Sequence, residues 1–121
     1  MSAPIFPKHG EIWFVNLPNQ PGDPHQPRTA IVVSTNGRNQ GSSDVVVVPT
    51  TSAKIQPHPD LHVTLPAGEG GLPKASIARC EQITTLDKRF LVQGPLGSAI
   101  HIRYSWKIIN AVRRALGDTT A

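Results

Sequence analysis

Residues 44–52 read DVVVVPTTS, four valines in a row closed by a proline and three hydroxyl side chains. A β-branched run without alternation suits a strand covered on both faces, or one built into a barrel wall. Asp44–Pro49 is therefore predicted as a buried strand, with Thr50, Thr51 and Ser52 at its exit. Hydroxyls at a strand end suit contacts to phosphate, and they are also ordinary turn residues.

Working outward from this strand, the neighbouring segments repeat a β pattern. Upstream, Thr29–Ser34 (TAIVVS) is nearly continuously apolar, and Glu11–Asn16 (EIWFVN) alternates as a first strand. Between them Leu17–Pro27 (LPNQPGDPHQP) holds four prolines and a glycine, which dictates an extended loop. The stretch TNGRNQGSSD carries Asn-Gly and Gln-Gly pairs and is expected to be a mobile turn. Downstream, TTSAKIQPHPD is a second polar loop, Leu61–Leu65 (LHVTL) a half-buried strand, and PAGEGGLPK a turn into the strand Ala75–Ile83. Leu86–Phe90 is expected as a turn or helical bend, and LVQGPLG as a last strand. Beyond it Ile102, Trp106, Ile109, Val112 and Leu116 recur at helical spacing, with Gly117 placed for a C-cap. The prediction is one mainly β domain over 1–121: a lead at 1–9, five to seven short strands at about 10–97, and an amphipathic helix at about 100–116.

Composition narrows the function. The 121 residues suffice for one modest core, and the apolar runs exclude a disordered chain. A net charge of +4 favours an anionic partner, with nucleic acid first, although many small basic proteins carry such charge only for solubility. The single cysteine excludes an internal disulfide framework and a cysteine-based zinc site. No apolar run has the length of a membrane helix, and MSAPIFPKHG lacks the pattern of a signal peptide, so the expectation is a cytoplasmic protein with no membrane partner.

Alternation through Ala75–Ile83 sets Ile77, Arg79, Glu81 and Ile83 on one face and Ser76, Ala78, Cys80 and Gln82 on the other. Cys80 then packs inward as a small hydrophobe. Arg79 and Glu81 share the outer face, either as an exposed ion pair or as a base beside a charge-stabilising guanidinium. Arg28, between the proline-rich loop and a strand, is either a solvent gate or a loop residue held for function. His25, His58 and His62 raise the question of a metal. HPDLH has a four-residue histidine spacing, but its proline forbids the helix that such spacing needs, and no metal or other cofactor is expected. GEGG lacks the lysine and helix of a phosphate loop and reads as a turn.

Taken in order, GEIWFVNL, a polar loop ending in RTAIVVS, then VVVVPTTS, then GLPKASIARCEQITTLDKRFL resemble the MazF/PemK/Kid family of toxin ribonucleases, over Gly10 to Leu91. The resemblance implies an SH3-like small β-barrel with a C-terminal helix, a homodimer, single-stranded RNA bound along the dimer groove, and a cognate antitoxin that blocks it. It implies metal-independent cleavage at short sequences. It places catalytic roles on Arg28, Thr51, Arg79 and Glu81, and RNA contacts on His25, Ser52, Lys54 and Gln82. Three departures stand out. Arg28 is followed by Thr29 where the family has proline; the acid is Glu81 where Kid-like members have aspartate; and a shorter loop lets Asp23 compete with His25 for the family's loop histidine. The alternatives are a CcdB-like gyrase poison on the same fold, whose Trp-Gly-Ile ending differs from GDTTA here, and a catalytically silent nucleic-acid-binding barrel.

Overall fold

The computed structural model describes residues 6–18, 22–24 and 26–121. The valine run is the pivot of the molecule. It lies in β3 (Asp44–Thr51), which runs past the proline into both threonines. One edge of β3 pairs antiparallel with β2 (Arg28–Val32), and β2 pairs in turn with β1 (Ile12–Val15). The other edge is shared. Thr50 and Thr51 face Ala78 and Ile77 of β5 (Ser76–Arg79), while Asp44–Val47 face Asp87–Thr84 of β6 (Thr84–Asp87). β4 (His62–Leu65) extends the β5 side, and β7 (Leu91–Gln93) pairs with β1. The seven strands form one strongly bent sheet of barrel-like outline that is not closed.

This bending explains the valines. Val48 packs into a core with Ile12, Ile31, Val63, Leu65, Ala78 and Cys80, whereas Val45 and Val47 pack on the opposite face with Val15, Ala30, Val32 and Leu86. A strand with a core on each side has no polar face to alternate with. In β1, Ile12 and Val15 are three positions apart and so alternate to opposite faces, one serving each core.

Four expectations need correction. The stretch expected as a mobile turn contains a short helix, α1 (Asn36–Gly41). Asn39 in it is fully buried; its Nδ2 donates to the Ser34 carbonyl at 3.0 Å, and the Ser34 hydroxyl donates to its Oδ1. The backbone N–H of Val46 donates to Ser34 Oγ at 3.0 Å, so α1 is tied to β3 by tertiary hydrogen bonds that override its turn-forming composition. Ala75–Ile83 is not one strand: β5 stops at Arg79, and Cys80–Gln82 form a single 3-10 turn before β6. That turn moves the chain from the exit half of β3 to its entry half. Leu86 and Asp87, expected in a turn, belong to β6, and only Lys88–Phe90 form a 3-10 turn.

The fourth correction concerns the face of α2 (Ile102–Ala115). Tyr104, Ile108 and Ala111 are buried against the core, while Ile102, Trp106 and Leu116 are exposed. Both sets have helical spacing, but tyrosine and alanine carry less hydropathy than the stripe that attracts the eye. The face carrying Tyr104, Ile108 and Ala111 is the one that packs against β4 and the core. His101 caps α2 by accepting from Arg103 N at 3.1 Å. No helix among the described residues is long and apolar enough to cross a membrane.

Candidate RNA-binding and cleavage site

The site lies where β2 begins and β3 ends. Continuing the β2–β3 register past the Ala30–Pro49 pair sets Thr29 opposite Thr50 and Arg28 opposite Thr51. The Thr29 and Thr50 hydroxyls hydrogen-bond each other, and Thr50 Oγ1 also donates to the Thr29 carbonyl at 3.3 Å. Thr51 Oγ1 accepts from the backbone N–H of Ala53 at 3.1 Å, which curls the loop after β3 around the hydroxyl. Together with Phe14, Ser52, Pro73, Lys74 and Ser76 these residues line a groove of about 360 Å³.

Arg28 enters the groove with its guanidinium forked on Asp23: Nε donates to Oδ2, and Nη2 to Oδ1 at 3.3 Å. The Asp23 carboxylate has only 9% of its side-chain surface accessible and that of Arg28 has 23%, so the pair is well shielded from solvent. Asp23 thus occupies the guanidinium of the arginine that lines the groove. Lys74 brings a second cation to the groove rim.

Arg79 and Glu81 do not line that groove, but the register places Arg79 on the same sheet face. Thr51 pairs with Ile77, Ile77 with Thr64, and Arg79 with His62, so Arg28, Thr51, Ile77, Thr64, Arg79 and His62 all stand on one side. Arg79 lies two residues beyond Ile77, about 7 Å further along the strand. Glu81 rises from the 3-10 turn to meet it, with Oε1 3.5 Å from Arg79 Nε. That distance allows an ion pair without hydrogen-bond geometry, and Arg79 Nε is buried without an acceptor. His62 Nε2 is 3.1 Å from the Glu81 carboxylate. Burial pushes the Glu81 carboxyl up, but the Glu81 backbone N–H, His62 and Arg79 outweigh it and hold the group below the usual carboxylate range.

The remaining expected residues separate by position. Ser52 lines the groove; Lys54 is exposed on the loop beyond it; Gln82 closes the 3-10 turn beside Glu81; and His25 lies outside the described residues. Cys80 is fully buried, as expected, and burial pushes its thiol up to about 12. His58 and His62 are engaged with backbone and carboxylate, and among the described residues no three His, Cys, Asp or Glu side chains gather as a metal site. Sequence reasoning missed Phe14, Lys74 and Ser76. The signal for Lys74 was its place beside a proline at the start of a strand, but only the β3–β5 pairing brings that end to Thr51.

The site is thus a groove of hydroxyls, Arg28 and Lys74 at one end of a small bent β-sheet with a C-terminal helix. Residues 8–117 match the model of the PemK-like, MazF-like toxins of type II toxin-antitoxin systems, and the chain belongs to that family. No curated relative matches it. Among solved structures it resembles an endoribonuclease in complex with its cognate antitoxin from a mycobacterial species, at 25% identity, 92% of this chain, 95% of that one and a TM-score of 0.73. It also shares its fold with MazF from Deinococcus radiodurans, at 24% identity, 94% and 99% coverage and a TM-score of 0.74. The MazE–MazF complex of Deinococcus radiodurans matches at 21% identity, 95% and 100% coverage and 0.73.

Proposed function

We propose that this chain is the toxin of a type II toxin-antitoxin pair and acts as an endoribonuclease, cutting single-stranded RNA at short sequences without a metal. The observation that carries this is the shared sheet face: Arg28, Thr51 and Arg79 stand on one side, with Glu81 against Arg79. A homodimer is the working unit, and a cognate antitoxin competes with RNA for it; the antitoxin suits the similar endoribonuclease solved in complex with its own.

The chemistry follows from RNA itself. The 2′-hydroxyl is a tethered nucleophile, so no protein nucleophile is needed. Glu81, held ionised, takes its proton as the 2′-oxygen bonds to phosphorus. Arg28 leaves Asp23 for a phosphate oxygen, joined by the Thr51 hydroxyl, and the negative charge on the phosphorane is met by donors. The bond to the 5′-oxygen breaks as that oxygen takes a proton from a water molecule, while Arg79 stays charged and stabilises the departing oxygen. Products are a 2′,3′-cyclic phosphate and a 5′-hydroxyl. Phe14 offers a ring for a neighbouring base, and Lys74 a backbone contact.

The test is incubation of the purified protein with a long single-stranded RNA in EDTA and mapping of 5′-hydroxyl ends. Discrete cuts that vanish in Arg28→Ala, Thr51→Ala and Glu81→Gln support the reading. RNA binding with no cut in any sequence sinks it, and cuts that persist in Glu81→Gln remove Glu81 as the base.

A further inference from the structure

HPDLH is left without a metal, yet His62 is one of the most constrained polar side chains near the site. It stands on β4 directly opposite Arg79, and only 10% of its side-chain surface is accessible. Both ring nitrogens are committed. The backbone N–H of His58 donates to Nδ1 at 2.9 Å, and because an N–H can only donate, Nδ1 must present its lone pair. The ring proton therefore sits on Nε2, 3.1 Å from the Glu81 carboxylate. The backbone N–H of His62 returns to the His58 carbonyl at 3.1 Å, and the N–H of Asp60 donates to His58 Nδ1 at 3.1 Å, so the five-residue turn is latched from both ends. The spacing that fails as a zinc helix works as a clasp: its first residue fixes the tautomer of its fifth.

We propose that His62 is a positioning residue for Glu81: it offers the carboxylate a fixed Nε2–H and so holds it ionised and turned toward Arg79. This rests on the reading of Glu81 as the base. A proton on Nδ1 would set two donors against each other, so the His58 N–H keeps Nδ1 an acceptor and leaves the ring N–H on Nε2, toward Glu81. Other charges facing the pair are few. Arg79 lies on β5, the His58 ring stands edge-on with its centre 6.2 Å from that of His62, and the neutral Cys80 thiol lies beneath the turn. From α2, Arg114 donates to the Asp60 carbonyl at 2.8 Å, which brings one cation and the Asp60 carboxylate to the same loop.

Two variants separate a hydrogen-bonding role from a packing role. His62→Phe keeps a ring and removes the donor; His62→Gln keeps a neutral donor for Glu81 and an acceptor for the His58 N–H. The Glu81 carboxyl is followed by carbon-detected NMR titration in the intact protein, and RNA cleavage is measured from pH 4 to 8 in EDTA. In His62→Phe the Glu81 midpoint is expected to rise by about one pH unit, and the acid limb of kcat/KM with it. Cleavage then falls severalfold near pH 4 and little at pH 8, and His62→Gln recovers most of the shift. An unmoved Glu81 midpoint in His62→Phe overturns the proposal, as does a loss of rate equal at every pH. If the unaltered protein cuts no RNA while the midpoint still shifts, the pairing stands and the ribonuclease reading falls.

Discussion

At the scale of single residues, the thiol of Cys80 is buried while the charges beside it, Arg79 and Glu81, meet each other and His62. With its ionisation pushed to about 12 by burial, Cys80 has no thiolate to offer at neutral pH. Cys80→Ser is expected to leave RNA cleavage intact while lowering stability by about 1–2 kcal/mol, read by urea unfolding, because a hydroxyl replaces a sulfur in an apolar setting. Glu81 behaves in the opposite sense. Its folded-state ionisation lies below the unfolded one, so its contribution to stability is present above the usual carboxyl range and fades as pH falls through the lower folded value. Arg28 is held by Asp23, and under the proposed function a phosphate displaces that carboxylate. Asp23→Asn is therefore expected to tighten binding of a short RNA severalfold at low salt, measured by fluorescence anisotropy. Unchanged or weaker binding would show that Asp23 does not compete for the arginine. Arg28 and Thr51 were legible as candidates from their places at strand ends, whereas the clamp on Arg28 comes from a loop whose path no periodicity describes.

Elements show where local signals are overruled. The Asn-Gly and Gln-Gly pairs of residues 36–41 are turn chemistry, yet three hydrogen bonds centred on Ser34 and Asn39 make the segment a helix docked on β3. Replacing Asn39 by alanine leaves the Ser34 hydroxyl and carbonyl without their buried partner. The expected cost is about 2–3 kcal/mol in urea unfolding, with α1 amides losing protection from hydrogen exchange. A cost below about 0.5 kcal/mol would mean that α1 is held by something other than this network. Alternation through residues 75–83 gave the burial of Cys80 correctly, but the break at Arg79 that lifts Glu81 toward His62 has no marker in the local residues. It arises because one edge of β3 must accept two different strands.

For the whole molecule, two of the cations behind the net charge of +4 line the groove, Arg28 paired with Asp23 and Lys74. Single-strand binding should weaken with salt, and each of Arg28→Ala and Lys74→Ala should reduce the log–log slope by about 0.7. A slope unchanged in Lys74→Ala would remove that residue from the phosphate path. The amino-acid sequence by itself determined a mainly β domain, the doubly covered valine strand, an inward Cys80 and a terminal helix. These depend on periodicity and on residue volume, which act over a few neighbouring positions. Which face of α2 is buried, the helix in the supposed turn, and the clasp of His62 on Glu81 were decided only by the tertiary structure. Each depends on partners that the fold brings together, Ser34 with Val46 twelve residues away and His62 with Glu81 nineteen away, and such pairings leave no trace in the local pattern.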